Sequence, residues 1–393
     1  MTRGFYRFYL YMFSSALLIF AVVATASLLS TLFSLTPLRG AYSSPPSQPA
    51  LVQVWVFAVV SWLIAGILGG LHYWLIRRDM RNDPTAGTSA VRSFFLNLLQ
   101  ALGVLLAVAF IGFGVIDPWA HANGTDLTLS AAIGLTLLVM VLLLELERRR
   151  APLQRGTALV FQRVNFFGVQ VILLFFLTAA FLNDLSYLVD GLFFSKDLCN
   201  HYGCPSYNPL GLGLTALWFT GCWLIYALVT SKDTSRTARL VLHGASLAFG
   251  VVYILYSVYS ALETFMQLSF HIALQGENAI TLYAFIAPLL LGLLVTAIYH
   301  VLVYDVSRRG LVEAQARRLV EWVIAALLLA GAFWLGAGAV MDNLLQGMST
   351  NDSLLWVNAL ALLITGVGYV PLDLYLRRRY TLNPAQSTGP RRG

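Results

Sequence analysis

The chain has 393 residues, 58% hydrophobic and only 11% charged, with a mean hydropathy of +0.74. A soluble domain is roughly a quarter charged, so a water-soluble fold is excluded. The net charge of +7 does not imply nucleic acid, because no basic patch is interleaved with base-stacking aromatics; the expected partner is the lipid bilayer.

Polar residues cluster and leave apolar stretches of roughly twenty residues, the length a helix needs to cross ~30 Å of hydrocarbon. The stretches are continuous rather than alternating, which argues against a membrane β-barrel. In chain order they predict helices over 8–35, 52–76, 94–116, 127–144, 166–185, 210–229, 240–262, 280–303, 319–341 and 354–376. The expected fold is therefore all-α, a polytopic transmembrane helical bundle of about ten spans. In the first stretch Ala24-Thr25-Ala26 is similar to a signal cleavage site. The apolar run continues through Leu28, Leu29, Leu32 and Phe33, longer than a signal core, so this helix is expected to be retained.

The connecting segments alternate in charge. Twenty-three of the 25 basic residues fall on one side of an alternating ten-span arrangement; Arg39 and Lys196 are the other two. The positive-inside rule then places both termini in the cytoplasm, as expected of a bacterial inner-membrane protein. An arginine opens each odd-numbered helix: Arg7, Arg92, Arg163, Arg239 and Arg318. An acid closes four of those helices at the other side: Asp117, Asp184, Glu263 and Asp342. These regularities predict five tandem two-helix hairpins, at 3–80, 92–150, 163–232, 239–309 and 318–379, followed by a cytoplasmic tail, 380–393.

Arg-Gly-Phe-Tyr-Arg-Phe-Tyr-Leu-Tyr at 3–11 opens the first hairpin, and Gly-Gly-Leu-His-Tyr-Trp-Leu-Ile-Arg-Arg at 69–78 closes it. This layout resembles the uncharacterised bacterial membrane family DUF5671, best over residues 3–116 and fading beyond. The resemblance implies a multi-pass membrane fold and localisation, and no activity.

Several helices carry stripes of small and polar residues at 3–4 spacing. One runs His243, Ser246, Gly250, Tyr253, Ser257, Ser260, Thr264; others run Ala58, Ser61, Ala65, Gly69, His72, then Gln100, Gly103, Ala107, Gly114, Asp117, and Pro288, Gly292, Thr296, His300. Such stripes seat neighbouring helices or line a hydrated path. His72, His243 and His300 lie at the inner ends of their stripes, where imidazoles serve as b-type haem ligands, contact a quinone head group, or bond a nearby carbonyl. The outer acids form either a cation-attracting ring or solvated helix ends. Glu145, Glu147, Asp305, Glu321 and Asp373 border spans beside arginines and are read as ion-paired. Cys199 and Cys204, in the longest outer loop, are a candidate disulfide.

No phosphate loop, zinc-protease, nucleophile-elbow or dinucleotide motif occurs. The leading expectation is a non-catalytic binding, assembly or accessory subunit that contacts other membrane-protein subunits. A transporter or channel, and a redox protein carrying haem b, a quinone or a pigment, are the alternatives.

Overall fold

The computed structural model describes residues 2–41, 43–120, 125–150, 156–193, 213–269 and 286–308. Every long element among them is a helix: α1 (Thr2–Phe33), α2 (Gln48–Asn82), α3 (Ala90–Ile111), α4 (Thr128–Arg149), α5 (Thr157–Phe193), α6 (Leu214–Ser231), α7 (Arg236–Ser269) and α8 (Ile286–Arg308). Seven of these, α1 to α7, are long and apolar enough to cross a membrane. The apolar stretch of α8, Pro288–Tyr299, is shorter. The expected helices at 319–341 and 354–376 lie outside the described residues.

Helix starts follow from short polar side chains. Ser89 accepts the Arg92 backbone N–H at 3.3 Å and caps α3. Asp126 accepts both the backbone N–H (2.9 Å) and the hydroxyl (2.6 Å) of Thr128 at the head of α4. Gly213 adopts φ +87° just before α6, a conformation that disfavours any side chain.

The chain divides into two compact units. The first holds α1 to α4, most of α5, and α6. Its centre is α1, which packs against α2, α3 and α4, while α3 packs along α4. Leu99, Ala107, Leu137, Met140 and Leu144 are buried where α3 meets α4, with Leu18 and Val22 of α1 against them. Glycine makes the α3–α4 approach possible: a Cβ on Gly103 would stand 2.6 Å from Met140 Cε, and one on Gly134 the same distance from Ile111 Cγ1. Val56, Val60, Leu63, Ile67 and Leu71 on α2 are exposed. A soluble protein avoids so continuous an apolar face, whereas lipid covers it.

After Ile111 the third helix passes through a π-helical turn, Gly112–Ile116, into a last turn, Asp117–Ala120. Here α6 inserts. The Trp218 indole N–H donates to the Val108 carbonyl at 3.1 Å, and Phe219 packs between Phe113 and Phe176. A side chain at Gly112 would collide with the Phe219 ring. The widened turn is a local adjustment that apolar periodicity does not announce.

In the second unit α7 and α8 pack closely along their small-residue stripes. A Cβ on Gly250 would lie 2.7 Å from the Thr296 backbone nitrogen, and one on Gly292 2.8 Å from that of Ile254. Ser246 and Ser257 are buried, and Ser246 returns its hydroxyl to the Leu242 carbonyl at 2.9 Å. Where it is described, this stripe is a packing seam.

Candidate functional site

Three of the helix-opening arginines reach an acid at the far end of the following helix. Arg7 of α1 donates through Nε to Asp79 and through Nη2 to Asp83, each at 2.7 Å. Arg92 of α3 donates to Glu147 at 2.8 Å, and Arg163 of α5 to Asp233 at 2.8 Å through Nε. A helix and its successor are thus clasped where the first begins and the second ends. The Thr85 hydroxyl foremost, then the Arg7 guanidinium and the Thr85 backbone N–H, donate to the ionised Asp83 carboxyl and hold it down to about 2.

Glu147 is the hub of one such end. It meets Arg92 (2.8 Å), Arg77 of α2 (2.7 Å) and Arg150 (3.9 Å). The Tyr73 hydroxyl accepts from Arg77 Nε at 2.8 Å and faces Glu147 at 3.4 Å. Arg92 is almost wholly buried; Nη1 donates to the Gly87 carbonyl at 3.1 Å. Its Nε–H has no acceptor among the described residues. Glu145, two residues before it, is gripped by Arg148 and Arg149. For Glu145 and Glu147 the expected ion pairing is present, with Arg77 and Arg92 as additional partners of Glu147.

A buried polar chain runs from there into α5. Gln100 donates to Glu145 at 2.9 Å. Asn165 donates to the Gln100 and Asn97 side-chain oxygens at 3.1 and 3.0 Å. Asn97 in turn donates to the Ser93 carbonyl at 2.7 Å. Further along α5, Gln170 accepts from the Thr230 hydroxyl at 2.6 Å. Of these residues sequence reading singled out Gln100 and Glu145. The signal for the others was Ser93, Asn97 and Gln100 on one helical face, with Asn165 at the edge of the fifth apolar stretch and Gln170 inside it.

Between α2 and α4, both packed on α1 but scarcely on each other, lies a half-open crevice of about 610 Å³. Ser14, Leu17, Leu18 and Ala21 form its floor; Leu96 and Leu99 of α3 and Leu143 and Leu144 of α4 form one wall. Ala65, Gly66, Gly69 and Tyr73 form the other. Arg92, Glu147 and Arg150 close one end. Trp62 stands towards the other, its indole N–H donating to Thr25 at 3.0 Å.

His72 is buried against this wall's far side. Its Nδ1 lies 2.7 Å from the Leu68 carbonyl, its Nε2 3.5 Å from the Tyr9 hydroxyl, and its ring stacks on Phe13 at 4.5 Å. His243, in the second unit, has its ring 6.0 Å from that of Tyr299, and its Nδ1 has no partner among the described residues. The His300 and Glu263 side chains, and Asp342, Cys199 and Cys204, lie outside the described residues. Of the outer acids, Asp117 is 3.5 Å from the Thr215 hydroxyl, and Asp184 accepts the Gly213 N–H at 3.1 Å. Among the described residues no group of three or more His, Cys, Asp and Glu is placed to hold a metal ion.

The fold defines a multi-pass helical membrane protein, its apolar helices facing lipid. No family model, curated protein or solved structure matches the chain.

Proposed function

We propose that this is a non-catalytic binding and assembly subunit of a bacterial inner-membrane complex, built from about ten spans in five tandem hairpins with both termini cytoplasmic. The side-opening crevice between α2 and α4 carries the reading. It is an apolar recess of small-molecule size, roughly 300–1,000 Å³, with ion-paired side chains, Arg92, Glu147 and Arg150, at one end. The three arginine–acid clasps support the hairpin reading, since each joins neighbouring helices at the arginine-rich end. Kinship with DUF5671, proposed from the motifs at 3–11 and 69–78, adds localisation and no activity.

The test is purification from native membranes in mild detergent, with every co-purifying protein and small molecule identified. Stoichiometric companions support the reading; a bare monomer in every detergent tried overturns it. The buried chain Asn97–Asn165–Gln100–Glu145 favours a second reading, a transporter. Ion or solute flux in liposomes that is lost in Gln100→Leu would establish it.

A further inference from the structure

Resting on that reading, we infer that the crevice between α2 and α4 is a site for one membrane lipid with an anionic phosphate head group, its acyl chain lying along α1.

Its extent fits one leaflet. The floor runs from Tyr11 to Ala21, which at 1.5 Å per residue is about 15 Å, half the ~30 Å hydrocarbon thickness. The polar end is at the helix termini and the apolar remainder points towards mid-membrane, as a lipid would lie.

The wall glycines differ in kind from those of the packing seams. Among the described residues a Cβ on Gly66 meets nothing within 4 Å, and one on Gly69 reaches only Leu17 Cδ1 at 4.0 Å. At Gly103, Gly250 and Gly292 the same atom would collide with a neighbouring helix. Among the described residues Gly66 and Gly69 seat no helix; they widen the recess.

The charge at the closed end selects the head group. Among the described residues three guanidinium groups, Arg77, Arg92 and Arg150, share the carboxylate of Glu147, leaving two positive charges in excess. The buried Arg92 Nε–H has no acceptor and the Ser14 hydroxyl has no partner among the described residues, and both residues line the crevice. Unmatched donors beside excess positive charge suit phosphate oxygens; a zwitterionic head group brings its own cation and gains less.

The experiment uses the full chain, delipidated in detergent. Thermal unfolding is followed in mixed micelles of dioleoylphosphatidylglycerol, of dioleoylphosphatidylcholine, or with inorganic phosphate alone, and bound lipid is counted by native mass spectrometry. Phosphatidylglycerol should raise the midpoint with half-saturation about tenfold or more below that of phosphatidylcholine, with one lipid retained. Gly66→Phe should abolish that retention. Gly70→Phe, on the same helix but outside the lining, should keep it. Arg150→Gln, at an exposed position, should reduce the preference to near parity and serves if Gly66→Phe does not fold. Equal response to the two lipids, lipid retained by Gly66→Phe, or a shift reproduced by phosphate alone would each overturn the inference. Stoichiometric protein companions without lipid would overturn it while leaving the subunit reading intact; no companion of either kind overturns both.

Discussion

Glu147 offers the sharpest test of how the helix ends are held. Its three arginines differ in depth: the Arg92 side chain is 2% exposed, Arg77 31% and Arg150 64%. Among the described residues Glu147→Gln removes the one carboxylate paired with Arg92 and leaves that guanidinium buried on carbonyls. Breaking a buried pair from one side costs about 3–5 kcal/mol. Arg150→Gln breaks an exposed pair at 3.9 Å, for which less than about 1 kcal/mol is expected. Removing both buried partners, as Arg92→Leu with Glu147→Leu, should cost less than Glu147→Leu alone, because no unpaired charge then remains. Reversible unfolding in mixed SDS micelles measures all four variants. The reasoning fails if Arg150→Gln is as damaging as Glu147→Gln, or if the double variant is no better than the single one.

The other outcomes are as specific. Gly250→Ala should destabilise the α7–α8 seam by about 1–3 kcal/mol, since the new methyl meets Thr296 backbone, whereas Gly70→Ala, which meets nothing, should not; thermal unfolding in detergent compares them. Asn165→Leu removes the donor serving two buried amide oxygens and should cost about 1–3 kcal/mol for each acceptor left unpaired, read in the same assay. Asp83 has its folded pKa depressed to about 2 from the ordinary 3.8. Its contribution is therefore present in full above the ordinary range and lost as pH falls through about 2. A carboxyl ¹³C titration should show Asp83 still ionised at pH 3, and a midpoint near 4 would contradict the Thr85 and Arg7 contacts.

The seven long apolar helices were legible in composition and spacing, because a bilayer demands length and apolarity together. Helix ends were less so. α2 runs on through Arg77, Arg78 and Arg81 to Asn82, since those side chains are paired or reach the interface and need no break in the helix. The acids were harder still. Asp79, Asp83 and Asp233 read as loop polarity, and what distinguishes them is the arginine brought beside them from 70 or more residues away. The stripe through Gly250 and Ser257 was visible as a pattern, but a pattern of small residues does not say whether helix or solvent lies against it. The π-helical turn at Gly112–Ile116 depends on Trp218 and Phe219 arriving from α6, information no local window contains. Nor does any sequence rule distinguish Gly66, facing open space, from Gly103, facing Met140.

The central place of α1 has a consequence for how the protein is made. Its packing partner α4 ends at Arg149, more than a hundred residues after α1 ends at Phe33. At about 5–20 residues per second, roughly 6–23 s separate the emergence of these two helices from the ribosome. During that interval Arg7 can already close on Asp79 once α2 has entered, while the Leu18 and Val22 side of α1 still faces whatever the insertion machinery or the lipid supplies. α1 is thus made well before the helix that completes its surroundings.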